Sequence, residues 1–127
     1  MPAVLFFAAS VTYAQGQTAS PAKAIPFMGT WVFDMTNLGK GAQQTVRVWN
    51  KDGAVAASLK TGPFPAVEVT GVFMDGDLLI LTTTLRENGA PIFVVIAMKR
   101  DGETIKLAQM MEQSETIKRG IGRRQPD

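Results

Sequence analysis

From Gly29 to the end of the chain, large apolar side chains recur at every second position, in short runs separated by turn residues. In the first run, Trp31, Phe33 and Met35 alternate with Val32 and Asp34, and this period of two is typical of a strand with one buried face. No window shows a convincing helical period. The predicted strands span residues 29–36, 43–50, 54–60, 66–74, 77–85, 91–100, 103–112 and 115–124. The sequence therefore predicts an all-β fold.

The connections between the predicted strands alternate in type. The second, fourth and sixth contain Asp-Gly, a pair that suits tight hairpins because it tolerates positive φ. The first, third and fifth are longer or contain proline. In an up-and-down meander, odd and even connections lie at opposite ends, which predicts one pinched end and one mouth. Eight antiparallel strands close into a barrel that holds side chains or one small ligand. A flattened barrel or a β-sandwich is the alternative that strand lengths and turns leave open.

The first 28 residues differ from the rest of the chain. Val4–Ala9 is a short apolar run, and Thr12–Ala14 offers small residues at the positions that a signal peptidase reads. We therefore predict a signal peptide over residues 1–14 and a secreted or periplasmic protein. Because no Lys or Arg precedes the apolar run, either the start of the signal is truncated or Met1 is internal to a longer one. A buried strand is the alternative, and the run is too short to span a bilayer as a helix. Residues 15–28 are predicted to be a flexible lead-in, within which the apolar stretch Ile25–Met28 could fold under the barrel as a plug, and residues 29–127 a single barrel domain.

The 127-residue chain contains neither cysteine nor histidine. Disulfides, thiol nucleophiles, Cys/His zinc sites and His-based triads are thereby excluded. We predict no metal, no cofactor and no catalytic residue, and the net charge of +2 is too small to indicate a nucleic-acid partner. An enzyme would have to use carboxylates, and Glu68 and Glu112 lie near the predicted mouth but on the outward face. A cofactor-free isomerase or cyclase is therefore a minor alternative.

The inward register of the predicted strands is almost entirely apolar. It comprises Trp31, Phe33, Met35, Val46, Val48, Val55, Ala57, Leu59, Val67, Val69, Phe73, Leu79, Leu81, Ile92, Val94, Ile96, Ile105, Leu107, Met111, Ile117 and Ile121. Four polar residues share this register: Gln44, Thr83, Gln109 and Arg119. The apolar side chains either fill the barrel or leave a cavity for an apolar molecule. The predicted ligand-binding residues are Met35, Gln44, Leu59, Thr83, Ile92, Gln109, Met111 and Arg119.

Gly29-Thr30-Trp31 at the start of the first strand, with a meander and a basic last strand after it, resembles the calycin superfamily of lipocalins, fatty-acid-binding proteins and avidins. In that superfamily a Gly-x-Trp on the first strand packs at the closed end beneath an Arg or Lys from near the last strand. The resemblance implies that Trp31 closes the floor of the barrel, and the predicted topology brings Arg123 or Arg124 towards it. A guanidinium over an indole contributes about 0.5–2 kcal/mol. The alternative is a Trp31 that is only a core residue, with both arginines solvated.

Arg119 lies midway along the predicted last strand. Some fatty-acid-binding relatives hold a carboxylate with an inward basic residue on the last strands, so the resemblance implies that Arg119 anchors an anionic group. A buried charge needs such a partner. A bulge at Gly120 or Gly122 would instead turn Arg119 to solvent.

The predicted function is an exported barrel that binds a small apolar or amphipathic molecule through its long-loop end. The rival from another class is a packed barrel that acts through its outer surface as an inhibitor or protein-interaction module. Val72, Ile80, Phe93 and Val95 are apolar positions on the outward register. Because contiguous exposed apolar patches mark subunit contacts, they predict a homodimer or larger homo-oligomer.

Overall fold

The computed structural model describes residues 17–35, 43–87, 89–112 and 114–126. Within these residues the chain forms ten strand segments and one short 3₁₀-helix, Ile25–Phe27. The strands are β1 (Gln17–Thr18), β2 (Gly29–Met35), β3 (Gln43–Lys51), β4 (Ala54–Thr61), β5 (Val67–Glu68), β6 (Gly71–Asp75), β7 (Leu78–Glu87), β8 (Ala90–Asp101), β9 (Thr104–Met111) and β10 (Lys118–Arg124). The predicted all-β class is confirmed. The predicted signal peptide and its cleavage site lie outside the described residues.

The strands form one antiparallel sheet in the order β1-β6-β7-β8-β9-β10-β2-β3-β4-β5. The order is that of an up-and-down meander in which β10 returns to pair with β2, and the sheet curls into a half-barrel around a single core. The predicted count of eight strands is wrong. The described residues contain nine strands when β5 and β6 are taken as one interrupted strand, because β1 was not foreseen.

The interruption between β5 and β6 is a change of partner. The amide of Val69 donates to the carbonyl of Ala57 on β4, and the amide of the next residue, Thr70, donates to Thr82 on β7. Val69 and Val72 are both buried although they are three residues apart, so the alternation slips by one residue between them. Phe73 consequently pairs with Ile80 on the outer face, and the prediction that Phe73 points inward is wrong.

Residues 17–28, which are the described part of the predicted lead-in, pack against the barrel. β1 pairs with β6, and the amide of Ala19 extends this pairing by donating to Val72. Ala24 and Phe27 are buried in the core, where the 3₁₀-helix lies across the pinched end. The barrel floor is therefore formed by residues that precede its first long strand.

The pinched end is formed by the predicted Asp-Gly turns. Asp52 and Gly53 both have positive φ, which is the conformation of the type I′ hairpin turn. Gly76 and Gly102 also have positive φ in the β6–β7 and β8–β9 turns. At the opposite end, the β4–β5 and β9–β10 connections are longer, and residues 36–42 of the β2–β3 connection lie outside the described residues.

The inward face of β10 carries glycines instead of the predicted apolar residues. Gly120 and Gly122 are buried, and a methyl group on either would overlap Met35 or Phe33 of the neighbouring strand. Large side chains of β2 therefore cover the inner surface of β10, and Ile121, between the glycines, is 53% exposed. The prediction that Ile117 and Ile121 face inward is wrong. Val67 pairs with the buried Leu59 and shares its inward face, as predicted, but it is 41% exposed on β5.

None of the helices in the described part of the chain is long and apolar enough to cross a bilayer.

Candidate ligand-binding site

The interior of the barrel is layered from the pinched end to the mouth. On β7, β9 and β3, the first two buried inward residues counted from the pinched end are apolar and the third is polar. These residues run in the order Leu79, Leu81, Thr83 on β7, Ile105, Leu107, Gln109 on β9, and Val48, Val46, Gln44 on β3. Each of these three strands thus carries a buried polar side chain above two buried apolar ones. We call Gln44, Thr83 and Gln109 the polar layer.

The polar layer is buried as deeply as the apolar core. Gln44 is 1% exposed, Thr83 2% and Gln109 4%. Burying an amide or a hydroxyl costs free energy unless it is hydrogen-bonded, so each of these three side chains needs a hydrogen-bond partner inside the barrel. The alternation of the sequence had placed all three on this face.

A hydrogen bond crosses the interior within the polar layer. The side-chain amide of Gln44 donates from Nε2 to Oε1 of Gln109 at 2.7 Å, although the two residues are 65 positions apart in the sequence. The same Nε2 also donates to Oγ1 of Thr61 at 3.4 Å. Both N–H groups of the Gln44 amide are thereby used.

The other atom of this amide has no partner in the described part of the protein. Oε1 of Gln44 is buried and accepts no hydrogen bond from any described group. An unsatisfied buried acceptor costs about 1–3 kcal/mol. Such an atom inside an otherwise well-partnered barrel indicates a position where a donor from another molecule is favourable.

The apolar surroundings of the polar layer change towards the mouth. Met35 and Leu59 are buried in the core, at 4% and 2% exposure. One layer further out, Leu85, Ile92 and Met111 are only half-buried and pack against the core. These last three side chains form the apolar rim, where the core is incompletely covered. Of the predicted ligand-binding residues, Met35 and Leu59 therefore belong to the buried core, and Ile92 and Met111 to the apolar rim.

Arg119 does not belong to this site. It is exposed, and it pairs with Ala108, the residue between the buried Leu107 and Gln109, so it lies on the outer face. The prediction that Arg119 points inward as an anion anchor is wrong. The reason is that the inward positions of β10 are Gly120 and Gly122, which places the preceding residue outside.

The basic side chain on the inner side of β10 is Lys118. It is half-buried, it pairs with Gln109, and its Nζ lies 3.7 Å from Sδ of Met111 at the apolar rim. The sequence register had placed its neighbour Arg119 inward instead. The sequence signal for Lys118 is the Gly-x-Gly pattern of β10. If Gly120 and Gly122 face inward, Lys118, two residues before Gly120, faces inward as well.

At the floor, Trp31 is completely buried and its indole Nε1 donates to the carbonyl of Phe27 at 3.0 Å. The guanidinium of Arg124 lies over the Trp31 ring at 4.5 Å from its centroid and donates to the carbonyl of Met28. Arg123 pairs with Val32 and is exposed. Of the two predicted partners, the structure therefore places Arg124 on the indole.

A second guanidinium, which sequence reasoning missed, also lies at the floor. Arg100, at the end of β8, has its guanidinium carbon 5.2 Å from the centroid of the Trp31 ring. It donates to the carbonyl of Pro26, in the 3₁₀-helix, at 2.6 Å. Two cations thus hold the indole and the backbone of the segment before β2, which makes the floor a closed structural unit.

The carboxylates considered for catalysis lie elsewhere. Glu68 is exposed and forms an ion pair with Lys51 at 3.3 Å. Glu112 is exposed and accepts a hydrogen bond from the amide of Phe93 at 3.2 Å. Both carboxylates are therefore engaged outside the polar layer.

The fold is similar to those of two solved structures. A crystal structure of a mutant of the fluorescent protein UnaG aligns with a TM-score of 0.55 and 14% sequence identity, covering 82% of this chain and 99% of that chain. A fatty acid transporter, REP1-NXSQ, aligns with a TM-score of 0.50 and 12% identity, with the same two coverages. The likeness at these identities concerns the fold alone, and at that level it confirms the predicted architectural resemblance to a small calycin-like β-barrel. No protein-family model and no curated protein matches the chain.

Proposed function

We propose that this protein binds one small apolar or amphipathic molecule in the mouth half of its barrel. The observation that carries the proposal is the layering of the interior, in which a buried polar layer lies between a closed apolar core and an incompletely covered apolar rim. Ligand pockets combine such apolar lining with a few convergent polar groups. The ligand would contact the polar layer with one end and the rim with the other.

The closed core limits where the molecule is held. Trp31, Phe33, Leu79, Leu81 and Ile105 have no exposed surface, so side chains fill the lower half of the interior. The mouth half differs because Leu85, Ile92 and Met111 are half-buried. Met111 is unbranched and flexible, so it can adjust to an apolar guest at little cost.

The solved structures of similar fold support the proposal. One is a fatty acid transporter, and its chain aligns over 99% of its length. We extend to this protein only the class of ligand, a small molecule with a substantial apolar part. Export through the predicted signal peptide stays a proposal that rests on Val4–Ala9 and Thr12–Ala14.

Uptake of a neutral apolar fluorophore, N-phenylnaphthylamine, tests the proposal. We expect saturable fluorescence enhancement with one site per chain, and native mass spectrometry of protein from its own host should show a bound species. Ile92→Gln should weaken uptake roughly fivefold because it places an amide at the rim. The matched control is Phe93→Gln, one residue away on the outer face, which should leave uptake unchanged.

Absence of both uptake and a bound species would reject the proposed function. Equal weakening by the two variants would show that the fluorophore binds outside the mouth.

A second proposal concerns the outer face. Phe93 is 46% exposed and Met110 is 36% exposed, and Met110 pairs with the half-buried Val95 between them. This apolar surface favours the predicted homo-oligomer, whereas Val72 and Ile80, the other two residues of that prediction, are buried. Sedimentation velocity of the wild type and of Phe93→Gln measures the oligomeric state. A monomeric wild type would contradict the proposed homo-oligomer.

A further inference from the structure

We infer that the bound molecule enters with its polar end first and presents a neutral hydrogen-bond donor, a hydroxyl or an amide N–H, to Oε1 of Gln44. This inference rests on the proposed function and adds the chemical class of the ligand's polar group.

The chemistry of Gln44 fixes the direction of the hydrogen bond. Its Nε2 already donates to Gln109 and to Thr61, so the amide has no N–H left for a ligand acceptor. Its Oε1 is a pure acceptor with no described donor, in a residue that is 1% exposed. The unmet requirement of this buried amide is therefore a donor.

The depth of the polar layer fixes the orientation of the ligand. Below Gln44, the inward residues of β3 are Val46 and Val48, which are 0% and 1% exposed. These side chains offer no hydrogen-bond partner to a polar group, whereas the rim residues Ile92 and Met111 are half-buried on the mouth side and suit an apolar tail. The polar group must therefore be the innermost part of the molecule, with the apolar part against the rim.

The charges near the polar layer select a neutral group over an anion. Arg119, the residue expected to hold a carboxylate, lies on the outer face. The ammonium of Lys118 lies beside Met111 at the rim, one layer outside the polar layer. A carboxylate at Gln44 would bring its own acceptors against Oε1 in a desolvated site, which is unfavourable. A hydroxyl or amide N–H satisfies Oε1 without burying a charge.

Three probes of similar length test the inference: decanol, methoxynonane and decanoate, each measured by displacement of N-phenylnaphthylamine. Decanol and methoxynonane have the same number of heavy atoms, but only the alcohol has a donor. We expect the wild type to bind decanol about tenfold more tightly than methoxynonane, and decanoate no more tightly than decanol. In Gln44→Met the preference for the alcohol over the ether should fall about tenfold.

Gln43→Met is the matched control. Gln43 precedes Gln44 on β3, faces outward and donates to Asp34 on the surface, so its replacement should keep the alcohol preference intact.

The outcomes separate this inference from the proposed function. If none of the three probes displaces the fluorophore and no fluorophore binds, the proposed function fails. If the probes bind but alcohol and ether bind equally well to the wild type, or decanoate binds most tightly, the proposed function stands and the neutral donor is rejected. The wild-type comparison decides the question even if Gln44→Met does not fold.

Discussion

The floor and the mouth of the barrel differ in whether their buried polar atoms have hydrogen-bond partners. At the floor, the indole N–H of Trp31 is completely buried and donates to the carbonyl of Phe27. At the polar layer, Oε1 of Gln44 is equally buried and has no donor among the described residues. The floor satisfies its polar groups with the chain's own backbone, whereas the mouth leaves one for another molecule.

The cations follow the same division. Arg100 and Arg124 stack on Trp31 and donate to carbonyls of the segment before β2, so their charges hold the floor together. Lys118 lies at the rim with its amino group beside a sulfur atom. The difference indicates that substitutions at the floor should change the stability of the fold, and substitutions at the mouth should change what it binds.

The largest expected effect is at the floor. Trp31→Ala should lower the free energy of unfolding by about 4 kcal/mol, because it removes a fully buried indole. Trp49→Ala is the matched control, since Trp49 is half-buried on the outer face under Arg47, and it should cost only about 1 kcal/mol. Urea denaturation of both variants measures the difference.

Equal losses in the free energy of unfolding for Trp31→Ala and Trp49→Ala would contradict the special role of the floor, because Trp31 would then contribute no more than a half-buried surface residue.

The next effect concerns the register of β10. Gly122→Ala should destabilise the fold by about 1–3 kcal/mol, since the added methyl group overlaps the ring of the fully buried Phe33. Ile121→Ala, at an exposed position on the same strand, should change stability by less than about 0.5 kcal/mol. Thermal unfolding monitored by circular dichroism compares the two, and a larger loss for Ile121→Ala would show that the isoleucine faces inward after all.

Much of this fold was available from the sequence because it is set by local alternation. The period of two located the strands, and the Asp-Gly pairs located the pinched end, where Asp52 and Gly53 adopt the positive φ that the turn needs. Alternation also placed Gln44 and Gln109 on the buried face. These features depend on neighbours within a few residues, so they can be read without the tertiary structure.

The features that were missed depend on distant parts of the chain. Alternation assigned Ile121 to the interior, but Phe33 and Met35 of β2 fill the space over Gly120 and Gly122 and turn the isoleucine outward. The slip at Val69 likewise arises from a change of partner strand. Neither the bond from Gln44 to Gln109 nor the unsatisfied oxygen beside it can be foreseen, since both require the relative positions of β3 and β9.

The smallest effect distinguishes two adjacent basic residues at the mouth. Lys118→Met should weaken binding of decanoate roughly threefold, because its half-buried ammonium is on the inner side of β10, near the rim. Arg119→Met should leave that affinity within about 1.5-fold, because the side chain is exposed on the outer face and a surface charge acts weakly through solvent. Fluorophore displacement at low and high salt measures both variants, and the effect of Lys118→Met should shrink as salt is added. A loss of tenfold or more in Arg119→Met, with Lys118→Met unchanged, would restore Arg119 as the anchor and would require β10 to present its opposite face to the interior.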